Sequence, residues 1–363
     1  MAKFSEVLTI VNGRNQKQVV CDDGKYPIYG SGGIMGYAND YICKAETVVI
    51  GRKGSINKPI FVETPFWNVD TAFGLCANSE KLNPKYLYYF CEKFDFEKLN
   101  TTVTIPSLTK SNLLNVEIPL PNLEKQKQIV ELLDKVTSLI SLRKQQLAKL
   151  DELVKARFVE MFGDDIYPKV KVSRVCDFIT KGTTPPNNLI SEKYSSDKVP
   201  YLKVYNLSFT GKLLFDTAPQ YVPENIHNGV LARSKVYPND VLMNIVGPPL
   251  GKFALVTDEF SEWNINQAIA IFRAKEKVNP KYLLFALMQP EVLKPFLRQA
   301  VGIRQLNLSL AQCRDLEIPL SPLSLQSEFA AFVERVDQQK QTVQQSLEKL
   351  ELMKKALMQE YFG

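Results

Sequence analysis

The final 46 residues of the chain repeat a segment that lies 200 residues earlier. Residues 118–163 align without a gap on residues 318–363, and 15 of the 46 positions are identical. Both copies begin with Ile-Pro-Leu and end with Phe-Gly. Further upstream the repeat continues with a shifted register, since Trp67-Asn68 matches Trp263-Asn264 and Asn83-Pro84-Lys85-Tyr86 matches Asn279-Pro280-Lys281-Tyr282. An internal duplication of this kind predicts two copies of one unit, each a variable globular part followed by a better-matched helical part.

The better-matched parts carry an apolar stripe that recurs in alternating steps of four and three residues. It continues for more than four heptads with no internal Gly or Pro, which is typical of a coiled coil. The apolar members of the stripe are Ile129, Leu133, Val136, Ile140, Leu147, Leu150 and Val154 in the first copy and Phe329, Val333, Val336, Val343, Leu347, Leu350 and Leu357 in the second. We predict two long helices that pair antiparallel within the chain; a seam shared among subunits is the alternative.

Charged residues interrupt this stripe at Arg143, Arg157, Lys340 and Lys354. Charges at such positions either fix the register of the helix pair or mark a place where another protein docks. The sequence leaves both interpretations open.

The globular parts have mixed α and β patterns. Residues 47–50 and 59–62 are expected to form short strands, and Asn83-Pro84 and Asn279-Pro280 each supply an N-cap and a first-turn proline. We therefore predict an α+β fold with pseudo-twofold symmetry. Its four segments are a globular domain (1–121), a helical spacer (122–163), a second globular domain (164–320) and a second helical spacer (321–363).

Composition places the chain among ordinary globular proteins, with 45% hydrophobic and 23% charged residues. No stretch has the apolar length of a signal peptide core or a membrane span, which predicts a cytoplasmic protein with no membrane partner and reduced thiols. The net charge of +6 is compatible with a nucleic-acid binder but does not require one. The six cysteines form no Cys-x-x-Cys pair, so a zinc site is not expected.

The sequence matches none of the common catalytic motifs that we considered. The Gly247 to Lys252 segment is one residue too short for a phosphate-binding P-loop and contains two prolines, and no Glu-x-Lys of the common nucleases occurs in the chain. Gly30-Ser31-Gly32-Gly33 is interpreted as a plain flexible loop rather than a nucleotide-binding glycine loop, and the single histidine, His227, as a surface or turn residue. We therefore predict no catalytic residue, no metal and no cofactor. Two similar but diverged units joined by rigid helices favour a protein that recognises two different short sequences at a fixed separation, as dimeric repressors do with their half-sites.

Several motifs resemble one known family. They are the junctions Ile118–Gln126 and Ile318–Gln326, the helices that end in Phe-Gly, and the segments Tyr26–Gly33, Ile50–Ser55, Phe66–Asp70, Thr104–Thr109, Lys181–Pro185 and Tyr201–Asn206. This order is similar to that of specificity subunits of Type I restriction-modification systems, and the resemblance covers essentially the whole chain. The second junction departs from the first because it lacks an acidic residue equivalent to Glu124.

The resemblance implies a non-catalytic targeting subunit that binds double-stranded DNA at a bipartite, asymmetric site, one half for each globular domain. It also implies that the helices recruit two modification subunits, which bring S-adenosylmethionine and adenine methylation. Restriction subunits would add ATP-driven translocation and cleavage.

Residues that contact DNA should be polar or cationic and lie on loops that can enter a groove. Our candidates in the first domain are Ser31, Arg52, Lys53, Ser55, Asn57, Lys58, Thr104, Ser107 and Lys110. In the second domain they are Lys181, Thr183, Lys203, Asn206, Lys252, Arg304, Gln305 and Asn307. For each of them the alternative is a solvated loop residue without a role in binding.

Two functions from other classes stay open at this point. The chain could be a coiled-coil adaptor whose globular domains bind proteins, or an enzyme whose site has no recognisable motif. Exchange of the second globular domain would change the DNA motif of a targeting subunit, but the protein partners of an adaptor.

Overall fold

The structure is a computed structural model that describes residues 1–100, 107–163, 166–247, 249–299 and 306–363. The chain divides into two compact units. Unit 1 consists of Met1–Gln145 and Val343–Gly363, and unit 2 of Gln146–Thr342. The boundaries between the units therefore fall inside the two long helices, whereas the sequence predicted the helical spacers as segments of their own.

Unit 1 contains a four-stranded sheet, a three-stranded sheet and a two-stranded pair. Its strands are β1 (Ala2–Lys3), β2 (Leu8–Asn12), β3 (Tyr26–Gly30), β4 (Gly33–Ala38), β5 (Thr47–Gly51), β6 (Ile60–Val62), β7 (Trp67–Asn68), β8 (Ala72–Ala77) and β9 (Glu117–Ile118). Its α-helices are α1 (Phe4–Val7), α2 (Pro84–Lys93), α3 (Lys110–Leu114), the first part of α4 (Leu123–Phe162) and the last part of α10 (Leu323–Phe362). The sheet orders are β2-β8-β5-β6, β4-β3-β7 and β1-β9, and all pairs are antiparallel except β3 with β7.

Unit 2 contains a longer set of elements. Its strands are β10 (Lys169–Lys171), β11 (Cys176–Lys181), β12 (Lys198–Leu202), β13 (Tyr221–Pro223), β14 (Lys235–Val236), β15 (Val241–Asn244), β16 (Val246–Gly247), β17 (Phe253–Leu255), β18 (Trp263–Ile265), β19 (Ile269–Ala274), β20 (Leu306–Asn307) and β21 (Glu317–Pro319). Its α-helices are the last part of α4, α5 (Val172–Val175), α6 (Glu224–Asn228), α7 (Pro280–Leu287), α8 (Pro290–Gln299), α9 (Leu310–Asp315) and the first part of α10 (Leu323–Phe362).

The two units repeat one topology. The sheet β11-β19-β15-β17 of unit 2 has the order of β2-β8-β5-β6 in unit 1, and β10-β21 corresponds to β1-β9. The parallel pair is also repeated, because Asn68 lies opposite Tyr29 and Asn264 lies opposite Tyr201. The duplication found in the sequence therefore extends through the globular parts, where few residues are identical.

A buried glutamine joins each globular part to its long helix. The Gln126 side chain accepts a hydrogen bond from the Asn83 backbone N–H (2.8 Å) and donates to the carbonyls of Lys81 and Pro121. In unit 2, Gln326 accepts from the Asn279 N–H (2.9 Å) and donates to Ser321.

The two asparagines at this joint also cap helices. Asn83 accepts from the N–H groups of Lys85 and Tyr86 at the start of α2, and Asn279 caps α7 in the same way. The predicted N-caps are confirmed. Each joint thus combines a helix cap with a satisfied buried amide, which fixes the direction in which the long helix leaves its globular part.

Within each unit, the end of one long helix packs on the start of the other. In unit 1, Ile129 and Leu133 of α4 share a core cluster with Met358 and Phe362 of α10. In unit 2, the Phe158 ring of α4 lies 5.3 Å from the Phe329 ring of α10. The antiparallel helix pair is confirmed, and every predicted member of the apolar stripe is buried or half-buried.

Three of the four charged residues of the stripe form ion pairs inside their own unit. Lys340 pairs with Asp151, Arg157 with Glu160 and Glu328, and Lys354 with Glu92. These positions therefore contribute to register, which was one of the two interpretations left open by the sequence.

Candidate nucleic-acid interface

The candidate residues of unit 1 centre on residues 52–58, which follow β5 and are called the basic loop below. The loop is held through its backbone: the N–H groups of Arg52 and Lys53 donate to the Thr71 carbonyl, and the Leu108 N–H donates to the Arg52 carbonyl (2.9 Å). The side chains of Arg52 and Lys53 are exposed. The loop is thus anchored by main-chain bonds, and the exposed Arg52 guanidinium lies 5.7 Å from the centre of the Phe73 ring.

The turn between β3 and β4 lies against the basic loop. A Cβ added to Gly51 would be 3.0 Å from the Ser31 Cβ and 2.5 Å from the Ser55 carbonyl, so these three residues are in close contact. Ser107 pairs with Lys53 in an isolated β-bridge. The structure thus brings Ser31, Arg52, Lys53, Ser55 and Ser107 together, although they come from three separate parts of the sequence.

Two other candidates of unit 1 use their side chains within the fold. The Asn57 amide donates to Asp95 (3.0 Å) and accepts from the Phe96 N–H (2.8 Å), and Lys110 Nζ donates to the Ile10 carbonyl (2.9 Å). Lys58 is exposed on the basic loop. Thr104 lies outside the described residues.

In unit 2, Lys181 and Thr183 lie where β11 ends. Lys181 is exposed, and Thr183 is half-buried with its hydroxyl accepting a hydrogen bond from the Arg233 guanidinium (3.0 Å). The Thr183 carbonyl accepts from the Tyr201 hydroxyl of β12, directly upstream of half-buried Lys203. Arg233 is exposed and was missed by sequence analysis, since it lies 50 residues from Thr183 in no recognisable motif.

Lys252 and Asn307 lie on two other segments of unit 2. The Lys252 ammonium is 5.8 Å from the centre of the exposed Phe209 ring. Asn307 is exposed and pairs with Val246. The Leu308 N–H donates to the Ile245 carbonyl just as Leu108 does to Arg52, so Asn307 occupies the place that Ser107 has in unit 1.

Asn206 does not fit the predicted role. Its side chain is fully buried, accepts from the Lys203 N–H (2.9 Å) and donates to the Leu214 carbonyl (3.2 Å). It therefore stabilises the short 3-10 turn Val204–Asn206 and cannot reach DNA in this conformation. Arg304 and Gln305 lie outside the described residues.

The structure also places the cysteines and the potential metal ligands that the sequence analysis considered. Burial raises the pKa of the thiols of Cys43, Cys176 and Cys313 to about 12, so these cysteines stay protonated and are poor nucleophiles. Within the described ranges, no group of three or more His, Cys, Asp or Glu side chains is placed to hold a metal ion. None of the helices in those ranges combines the length and apolar character that a membrane crossing requires.

His227 is buried, contrary to the prediction of a surface or turn residue. Its Nδ1 accepts a hydrogen bond from the Asn264 amide (3.1 Å), and its Nε2 donates to Glu262 (2.9 Å). Burial is the main cause that lowers its pKa, with Lys235 acting in the same direction and Glu262 opposing both. A second proton on Nδ1 would face the Asn264 NH₂ group, so the neutral ring suits this network.

We expect the stability of unit 2 to fall as the pH is lowered from 7 to about 5.5. Since the pKa of His227 is lower in the folded state, the unfolded chain binds this proton first, and the free energy of unfolding drops by up to about 1 kcal/mol over this range. Thermal unfolding at stepped pH values measures the effect. The chain has one histidine, so His227→Gln should flatten the slope, and a slope unchanged in that variant would contradict the assignment.

Comparison with known protein families identifies the family of this chain. A model described as the Type I restriction modification DNA specificity domain matches residues 1–152 and again 167–352. The chain belongs to this family of specificity subunits. The double match reproduces the internal duplication, with one domain for each copy.

Two relatives agree with this membership. The MjaVIII specificity subunit of Methanocaldococcus jannaschii is 24% identical over 337 residues, which is 86% of this chain and 75% of the relative. The EcoBI specificity subunit of Escherichia coli is 23% identical over 323 residues, covering 80% of this chain and 66% of the relative.

Two solved structures have the same fold. The crystal structure of a Type I S subunit from M. genitalium matches with a TM-score of 0.61 and 17% identity, covering 100% of this chain and 95% of the other. A structure from work on complex assembly and conformational transition of the Type I system also has a TM-score of 0.61 and 17% identity, covering 99% and 96%. At this identity the likeness concerns the fold alone.

Proposed function

We propose that this specificity subunit binds a bipartite, asymmetric DNA site, with one half-site read by each unit. The observation that carries the proposal is that both units place candidate residues at equivalent positions of one fold but with different side chains. Lys53 and Ser107 face each other in unit 1, where unit 2 has Val246 and Asn307. Equivalent loops with different donors and acceptors should approach DNA alike and select different bases.

In this proposal the phosphate backbone is bound by cationic side chains, all exposed except half-buried Lys252, and the bases by shorter polar side chains. Arg52, Lys53 and Lys58 supply the cations in unit 1, and Lys181, Arg233 and Lys252 in unit 2. Ser31, Ser55, Ser107 and Asn307 are the candidates for base edges. Asn57, Lys110 and Asn206 are left out because their polar groups are used within the fold.

The long helices offer two equivalent surfaces for modification subunits. Leu132 and Met353 lie beside the seam in unit 1 and are 38% and 51% exposed. In unit 2 the aligned pair is Phe332, which is half-buried, and Leu153, which is 47% exposed; both line one groove with a volume of about 540 Å³. Exposed apolar side chains beside a coiled-coil seam favour a helical partner, and two equivalent pairs fit two copies of it. The chain itself would contribute no catalysis, and restriction subunits would join the same complex.

The test is a genome-wide map of methylated adenine in the source cell, with the gene present and deleted. We expect one bipartite motif to lose its methylation on deletion, because the modification subunits then lack their targeting subunit. Re-expression of the chain should restore the same motif. A methylation map that does not change in cells where the modification subunits are active would contradict the proposal and favour a protein-binding adaptor.

A further inference from the structure

The hairpin of β3 and β4 ends in two exposed apolar side chains. Gly30 pairs with Gly33 across a turn of only two residues, Ser31 and Gly32. Directly after the turn, Ile34 and Met35 are 54% and 64% exposed. Apolar side chains exposed to water at the tip of a hairpin do not stabilise the fold by burial. Their exposure indicates a surface that another molecule covers.

An irregularity in the strand pairing singles out Met35. Ile28 pairs with Gly36 and Tyr29 pairs with Ile34, so Met35 is an extra residue without a partner on β3. Such β-bulges turn side chains out of the regular alternation and are frequent next to functional sites. The Met35 sulfur lies over Gly30, where a side chain would collide with it. The glycine therefore leaves room for the bulged methionine at the tip.

The hairpin tip lies beside the basic loop. Ser31 at the turn contacts Gly51 at the start of that loop, and exposed Arg52 and Lys53 follow directly. Cations next to exposed apolar side chains match a duplex at an opened step, where the phosphates are anionic and the unstacked base faces are apolar. The two strands of a hairpin lie about 4.8 Å apart, so the tip presents Ile34 and Met35 on a narrow edge.

We propose that Ile34 and Met35 insert as a wedge between neighbouring bases in the half-site bound by unit 1. This inference rests on the proposed function, since it needs the basic loop on the DNA backbone. Isoleucine and methionine are among the side chains that proteins place between base steps, where they unstack the bases and kink the duplex. The basic loop would hold the phosphates beside the opened step.

The test uses the full-length chain and a library of 40-base-pair duplexes with random sequence. Duplexes enriched by binding are resynthesised with the fluorescent base 2-aminopurine at one position at a time, since its emission rises when it is unstacked. We expect the wild type to raise this emission severalfold at one step of a half-site. The double variant Ile34→Ser/Met35→Ser should abolish the rise and bind about tenfold more weakly.

Val20→Ser is the matched control. Val20 is also apolar and exposed in unit 1, but it pairs with Ala38, away from the hairpin turn. This variant should keep both the affinity and the fluorescence rise. If the double variant unfolds at a lower temperature than the wild type, Met35→Ala alone is used and should reduce the rise.

The failures of the two proposals are distinguishable. Binding of the enriched duplex without any unstacking, or a rise that persists in the double variant, would overturn the wedge and leave the proposed function intact. The double variant could also lose affinity while the wild type causes no rise in emission. If replacing a thymine by uracil weakens wild-type binding by the same factor, the two side chains contact a thymine methyl group, and the wedge is again overturned. If no duplex is enriched, sequence-specific recognition fails and the wedge fails with it.

Discussion

Four residues inserted into each long helix, after Gln145 and after Thr342, should lengthen the methylated motif by one or two base pairs. The added base pairs should fall in the gap between the two half-sites, whose sequence is not recognised. Both half-site sequences should stay the same. The insertion points are the boundaries of the two compact units, so each unit keeps its own packing between α4 and α10. Both helices are extended together because they are paired.

The size of this change follows from helix geometry. Four residues add about 6 Å and, after a full turn, about 40° of rotation. One base pair of DNA adds about 3.4 Å and about 34°, so one added base pair matches the extra rotation and two added base pairs match the extra distance. Seven residues would add about 10.5 Å but turn the helix back by about 20°, whereas three base pairs turn DNA by about 100°.

The seven-residue insertion is therefore an informative control. It preserves the phase of the coiled-coil stripe better than four residues do. The variant should nevertheless support little methylation, because no number of added base pairs matches both the extra length and the rotation of the helices. Mapping of methylated adenine reads both variants. A four-residue insertion that leaves the gap unchanged, or a seven-residue insertion that works equally well, would contradict the proposal that the helices set the gap.

Removal of three cations of the basic loop should weaken DNA binding for all sequences alike. Phosphate contacts release counterions, so each lost contact makes the plot of log affinity against log salt less steep by about 0.9. For Arg52→Ala/Lys53→Ala/Lys58→Ala we expect a change of up to about 2.7 in that slope. Fluorescence anisotropy at stepped salt concentrations measures it.

The matched control removes the same charge elsewhere in unit 1. Lys17, Lys44 and Lys125 are exposed and lie outside the basic loop, so their triple alanine variant should keep most of the slope. Equal losses in the two variants would mean that only net charge matters. If Arg52→Ala alone instead relaxes one base position at a cost of about 1–3 kcal/mol, Arg52 reads a base and not a phosphate.

The sequence predicted the helices and the duplication well because both rest on long regular patterns. The stripe from Ile129 to Val154 repeats often enough to predict a helix, and its partner was found through the alignment of residues 118–163 with 318–363. The Asn-Pro caps at Asn83 and Asn279 were equally clear, because the cap forms within three residues of the chain.

Individual contact residues were harder to predict, for a physical reason. Asn57 and Asn206 have the same chemistry as residues that read bases, but their amides satisfy backbone groups in the fold. A donor used internally and a donor offered to DNA are identical in the sequence. Arg233 was missed for the converse reason, since its approach to Thr183 depends on the folding of the intervening 50 residues.

The division of the chain into units has a consequence for its synthesis. All residues of unit 2 leave the ribosome before residues 343–363, which complete unit 1. Ile129 and Leu133 can therefore be fully buried only after Met358 and Phe362, which share their core cluster, have been synthesised. The unit whose globular part is made first is thus the last to close. A premature stop codon that removes only residues 343–363 would leave unit 2 complete but expose the core of unit 1. Most of unit 1 is encoded at the other end of the gene.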